Sequence, residues 1–285
     1  MMHSTPEPNA CGRWNTPAGL STSVFLTLVL VCFAAPGVLL ASEDELPAAE
    51  VILDKYVEAT GGKAAYAKLN NRLTKATFEM VGQGLKFSLT IYAARPNKMY
   101  TLMESEAFGK IEKGTDGEVA WEINVMTGPQ IKAGEERALL LRGAAFDAVP
   151  GWRKLYKKVE SVGIEDINGN PCYKVVLTPK EGEPETRYYD KASNLLLKSG
   201  MNLKLPMGTI PMKNYPSNYK RVDGILLPHQ ARVVVMGQER VMTVQSIEHN
   251  VKLSEDRFKL PAEIRALVDK EKGEEDTTKA PQDAE

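Results

Sequence analysis

The chain has 285 residues, 43% of them hydrophobic, and 36 Lys and Arg against 37 Asp and Glu leave a formal net charge of -1. So even a balance excludes an electrostatic appetite for nucleic acid. The apolar content suits a globular protein that holds its own core.

The first 42 residues read as a secretory signal. Arg13 precedes an apolar stretch from Val24 to Ala35, then Pro36-Gly37 and the small residues Ala41-Ser42. About a dozen apolar residues fall short of the roughly 20 that span a bilayer. Cleavage near residues 41–42 and export are the expectation, with an uncleaved anchor as the open alternative. Val31 stands before Cys32 where a lipobox has a small residue, which argues against lipid attachment. Cleavage discards Cys11 and Cys32 and leaves only Cys172, so no internal disulfide is expected.

Leu46 to Ala59 carries Val51, Ile52, Leu53, Tyr56 and Val57 on a broad helical face and meets a stop at Gly61-Gly62. Lys63 to Leu69 predicts a second short helix. From Leu73 the period switches to two, with alternating runs at Ala76 to Met80, Leu85 to Ala93, Met99 to Met103 and Val119 to Val125. Gly82-Gln83-Gly84 and Gly114-Thr115-Asp116-Gly117 read as hairpin turns. Gly134 to Phe146 predicts a helix with Glu135 and Glu136 in its first turn, where acids suit the dipole.

Seven further strands follow Trp152, at Lys157 to Glu165, Cys172 to Thr178, Glu185 to Tyr189, Leu195 to Leu203, Asn218 to Val222, Ala231 to Met236 and Arg240 to Asn250. Lys204 to Ser217 holds three prolines and reads as an exposed loop. Asp269 to Glu285 is charged or small throughout and reads as a disordered tail. Ten or eleven strands against three helical segments predict a mainly β (α+β) chain. Its one domain, 43–268, is a single large curved antiparallel sheet, an incomplete half barrel with helices over the concave face.

Several landmarks then agree in order: Arg95-Pro96-Asn97, Asp116-Gly117 before Trp121, Val176-Leu177-Thr178-Pro179-Lys180 and Phe258-Lys259-Leu260-Pro261. Over residues 46 to 262 the chain resembles the LolA-like outer-membrane lipoprotein carriers. Tyr219 to Pro228, with Val222-Asp223-Gly224 and Leu227-Pro228, is more similar to the broader branch of that superfamily. The resemblance implies a periplasmic monomer that receives acyl chains of lipid or lipoprotein in an apolar half-barrel cavity. It also implies membrane-bound donor and acceptor proteins and no cofactor. Arg95 matches the arginine implied to lock the lid through hydrogen bonds to lid backbone; helix C-terminal carbonyls suit a guanidinium with five donors.

On this reading the cavity is lined by Phe78, Met80, Phe87, Leu89, Ile91, Trp121, Ile123, Leu139, Leu140, Phe146, Tyr173 and Val175. The methionines suit an adaptable apolar surface. The alternative is an envelope sensor or scaffold that uses the same fold to bind a protein. An enzyme is not expected. His229 and His249 lie twenty positions apart on separate predicted strands, outside any triad or zinc pattern. Glu104, Glu106, Asp116 and Glu122 fall on wet-face or turn positions, and a two-carboxylate hydrolase is the enzymatic arrangement left open.

Overall fold

The computed structural model describes residues 46–205 and 208–278, all within one compact unit, Asp44–Glu285. The predicted signal segment lies outside the described residues. Two helices come first, α1 (Ala49–Ala59) and α2 (Gly62–Tyr66). Six strands follow: β1 (Asn71–Met80), β2 (Leu85–Ala94), β3 (Lys98–Ser105), β4 (Gly109–Thr115), β5 (Ala120–Asn124) and β6 (Gly128–Ile131). Helices α3 (Gly134–Ala144) and α4 (Trp152–Leu155) then lead into β7 (Tyr156–Ile167), β8 (Asn170–Pro179), β9 (Glu185–Asp190), β10 (Leu196–Leu205), β11 (Gly208–Val222), β12 (Ile225–Val235) and β13 (Gln238–His249). Helix α5 (Ala262–Thr278) closes the described chain.

All thirteen strands join one antiparallel sheet in the order β6-β5-β4-β3-β2-β1-β13-β12-β11-β10-β9-β8-β7. It is unclosed, with β6 and β7 as edges, and mainly β as expected. Its curl follows from α3. Arg137 of α3 donates from Nη2 to Glu118 O at 3.1 Å beside β5, and Arg142 donates from Nη1 to Glu181 O at 3.1 Å between β8 and β9. In a flat sheet β4 and β9 would stand about 40 Å apart, at about 4.8 Å per strand. An eleven-residue helix is only about 16 Å long, so the two wings bend towards each other.

Local chemistry fixes the corners. Thr60 ends α1 by donating from Oγ1 to Tyr56 O at 2.8 Å, while Tyr66 OH donates back to Thr60 Oγ1 at 3.0 Å. Gly61 follows at φ 135°, where a Cβ would lie 2.7 Å from Gly224 O. Only glycine fits that approach. Leu226 N then donates to Thr60 O at 2.7 Å, tying the helical corner to β12. Asp223 and Gly224, at φ 49° and 90°, form the two-residue β11–β12 turn with both residues left-handed.

Two sequence expectations are corrected, and two strands are added. Within the predicted loop Lys204 to Ser217, Lys204 and Leu205 end β10 and Gly208 to Ser217 open β11, so the described residues are strand. Strand β11 pairs with β10 only over Gly208 to Asn214 and with β12 only over Met212 to Val222. Pro211 and Pro216 therefore sit where one flank of the strand is unpaired and a missing N–H costs no ladder bond. The tail is not disordered from Asp269, because α5 runs to Thr278; its Glu and Lys are strong helix formers, and Ile264 anchors it fully buried. Residues 279–285 lie outside the described residues. Strands β4 and β6 were not anticipated, since Gly-Lys-Ile-Glu-Lys-Gly-Thr and Gly-Pro-Gln-Ile hold one large apolar residue each.

The main core lies on one wing. Ile52, Leu53 and Val57 of α1, at most 2% exposed, pack with Trp152 and Tyr156 on Val175, Leu177 and Tyr189. Tyr66 and Leu69 seat the α2 segment on Ile225. A smaller cluster of Ile167, Cys172 and Tyr188 occupies the opposite face.

Candidate functional site: an apolar trough under an arginine clamp

Pairing register assigns every strand residue to a face. The face that carries α1 continues through Leu196, Ser199, Met201 and Leu203 of β10, Ile210 and Met212 of β11, Val233 and Val235 of β12 and Met242 of β13. It then passes to Phe78 and Met80 of β1, Phe87, Leu89 and Ile91 of β2 and Met99 and Met103 of β3. Six methionines, 80, 99, 103, 201, 212 and 242, thus share the inner face with aromatic and β-branched residues, and the half-buried Arg240 stands among them opposite Met80 and Val233. All six are half-buried, so the middle of the sheet presents a trough of flexible thioethers.

The predicted lining residues divide. Phe78, Met80, Phe87, Leu89 and Ile91 lie together on the trough floor. Phe87 meets Phe78 edge-on at 6.1 Å and Phe108 stacked at 6.0 Å. Tyr173 and Val175 share that face but sit on the wing filled by α1, with Val175 0% exposed, so protein already occupies the space above them. Leu139 and Leu140 are half-buried on α3, and Phe146 sits beyond its end.

Trp121 and Ile123 are on the other face, which corrects the expectation. Thr115 pairs with Ala120 and Gly114 with Trp121, and Gly114 and Tyr100 share the outer face, where the Trp121 ring lies 6.1 Å from that of Tyr100. The C-terminal segment crosses there, with the Arg257 guanidinium 4.3 Å over Tyr92 and 5.5 Å over Tyr100. Trp121 is 2% exposed and part of the packing beneath that crossing.

Arg95, in the turn after β2, clamps the end of α2. Its Nε donates to Leu69 O at 2.6 Å and Nη2 to Tyr66 O at 2.9 Å, while Nη1 pairs with the Asp147 carboxylate. These are carbonyls at and just past a helix C-terminus, where partners are short. The Phe146 ring has two guanidiniums near its face, Arg95 at 5.4 Å and Arg72 at 6.0 Å, and its N donates to Pro96 O. Beside Arg72, His249 bonds Asp223 Oδ2 through Nδ1 at 2.9 Å, and its Nε2 is buried without a partner. Burial, reinforced by the Arg72 charge, holds the imidazole pKa below its ordinary value despite Asp223.

A polar rung separates the filled wing from the methionine trough. Arg187, Ser199 and Asn214 are cross-strand neighbours, and Asn214 Oδ1 is buried without a partner. Arg187 Nη2 donates to Tyr156 OH at 2.6 Å and to Glu185 Oε1 at 2.9 Å. Burial pushes the Glu185 carboxyl upward, but the Arg187 charge, the Tyr156 hydroxyl and the Arg142 charge outweigh it and leave the pKa lowered.

Among the described residues no group of three or more His, Cys, Asp or Glu could hold a metal ion. His229, 8% exposed, has Nδ1 3.0 Å from Leu227 O. Cys172 is fully buried, its thiol pushed up to about 11 mainly by that burial, which leaves it unreactive.

No family model and no curated protein matches this sequence. Solved structures do. A DUF1329 family protein from Desulfovibrio piger is 17% identical, with a TM-score of 0.52 over 75% of this chain and 98% of its own. A domain assigned to outer membrane lipoprotein sorting from Vibrio parahaemolyticus is 13% identical, with a TM-score of 0.51 over 74% and 97%. A LolA superfamily protein from Nitrosomonas europaea is 12% identical, with a TM-score of 0.53 over 75% and 98%. Identities this low speak for the backbone alone, and by sheet order, helical cover and these likenesses the chain has a LolA-like fold.

Proposed function

We propose that this protein is a periplasmic carrier that shelters acyl chains of a lipid or lipoprotein in the trough and passes them towards the outer membrane. The observation that carries the reading is the run of six half-buried methionines across the inner face, beside a helical segment pinned by Arg95. Apolar area that water can still reach is area a guest can cover. At about 0.8 kcal/mol per buried methylene, ten methylenes contribute roughly 8 kcal/mol, near micromolar affinity before ordering costs. Such a grip suits hand-over without an energy source. The lipoprotein-sorting domain with the same fold supports the choice of cargo.

The test is mass spectrometry of organic extracts from protein purified from the periplasm. Co-purified phospholipid or lipopeptide is expected. A clean extract together with a stable protein complex overturns the carrier reading in favour of a scaffold, and turnover of lipid esters would make the protein a hydrolase.

A further inference from the structure

Five large apolar side chains stand exposed on hairpin tips: Val81 at 44%, Phe108 at 41%, Val125 at 67%, Met126 at 81% and Met236 at 67%. Their turns join β1 to β2, β3 to β4, β5 to β6 and β12 to β13, and the strand order makes these four hairpins consecutive neighbours. Register sets the four turns at one end of the sheet. Met80 pairs with both Leu85 and Arg240, Ser88 with Glu104, and Ile111 with both Met103 and Asn124.

The tips are joined sideways. Val81 N donates to Glu239 O at 2.9 Å, Gln83 Nε2 donates to Gln238 Oε1 at 3.0 Å, and a Cβ on Gly109 would touch the Val125 side chain at 3.7 Å. At about 4.8 Å per strand, four hairpins form a row roughly 35 Å long. Single exposed apolar residues need no explanation. A row of them in turns, where polar residues prevail, does.

We propose that this rim docks on the surface of a phospholipid bilayer. Polar residues such as Gln83, Glu106 and Thr127 alternate with the apolar tips, so the row is a comb and not the continuous dry patch of a protein interface. A bilayer accepts a comb, because head groups solvate the polar residues while the acyl boundary receives each apolar tip. The hairpin backbones are already paired and bring few unsatisfied groups. Continuity with the trough points the same way: the ring series Phe78, Phe87, Phe108 climbs from floor to rim. A chain crossing this edge would pass from apolar wall to membrane without entering water; that purpose rests on the carrier reading, whereas docking itself does not.

The rim carries no excess of cations, since Lys86 lies 3.3 Å from Glu79, Lys110 lies 2.8 Å from Glu112, and Glu104 and Glu106 add exposed carboxylates. Docking should therefore need no anionic lipid. The experiment is flotation of the full chain with phosphatidylcholine vesicles, comparing the natural protein with V125S/M126S/M236S. Phe108 is left intact because it packs on Phe87.

The triple variant should partition about tenfold less, from three side chains that no longer enter the interface. Its binding of a fluorescent fatty acid in vesicle-free solution should match the natural protein. In a second variant, M126W, the indole should be quenched by bromo-phosphatidylcholine, a readout that an anchor elsewhere in the chain would not produce. Equal flotation of the triple variant and the natural protein, or an unquenched indole, overturns the proposal. Flotation and quenching by a protein that takes no fatty acid sustain the rim and remove the carrier reading alone.

Discussion

Replacing Arg95 with Leu tests whether the α2 segment is a closure or a fixed part of the core. The substitution removes the donors to Leu69 O at 2.6 Å and Tyr66 O at 2.9 Å and the partner of Asp147. A hydrogen bond from a charged donor contributes roughly 1.5–3 kcal/mol when shielded from water. The Arg95 side chain is 30% exposed and that of Asp147 40%, so water replaces part of the loss and the ion pair itself adds little. About 2 kcal/mol remains, or roughly a 30-fold shift towards the undocked segment.

Amide exchange of residues 66–70 and 145–148 should quicken by about that factor, while β8 and β9 beneath α1 keep their protection. If the docked segment competes with guests, a fluorescent fatty acid should also leave Arg95→Leu more slowly than it leaves the natural protein, because closure no longer opposes occupancy. Exchange at 66–70 that is unchanged, or that quickens only together with the whole sheet, would refute the clamp as a local device. Unchanged release would separate the clamp from the cargo.

Three further outcomes follow from the charges and corners. His249 is held neutral by burial, so its folded pKa lies below the unfolded value of about 6.5; the unfolded chain binds the proton first, and stability should fall as pH drops from about 6.5 towards the lower folded pKa. Urea midpoints measured over that range should lose part of this slope in His249→Gln, and an equal slope would assign it to other groups. Glu185→Ala strands Arg187 beside Tyr156 and should cost about 3–5 kcal/mol, whereas Glu185→Leu with Arg187→Met should stay near the natural stability; equal losses in thermal melts would contradict the pairing. Gly61→Ala forces a Cβ to 2.7 Å from Gly224 O at φ 135°, so it should cost about 2 kcal/mol or more in denaturant titrations, and a neutral result would show that the corner can shift.

Much of the architecture was legible because alternation and turn chemistry are local. The hairpin runs from Leu73 to Met103, the helix before Gly61-Gly62 and the Asp223-Gly224 turn announce themselves within a few residues. Strand β4 does not, since Gly109, Lys110, Glu112, Lys113 and Gly114 have no apolar alternation, and its place is set by β3 and β5 on either side. The prolines of β11 misled for a related reason. Proline reports a missing donor, and only the partial overlap of β10 and β12 along β11 makes that absence harmless.

Trp121 shows where the candidate site escaped the sequence. Its alternation with Val119, Ile123 and Val125 states that one side of β5 is apolar, but parity gives no indication of which face of the whole sheet that side joins. Once β4 is counted, Ala120, Glu122 and Asn124 turn inward and Trp121 turns out. Glu122 lies 3.9 Å from Lys132, just before α3, and the outer side meets the C-terminal crossing. The apolar face therefore changes sides between β3 and β5. The trough is bounded where the pattern inverts, and its usable floor is the methionine stretch from β10 to β3, between the wing already filled by α1 and the strand that turns its tryptophan away.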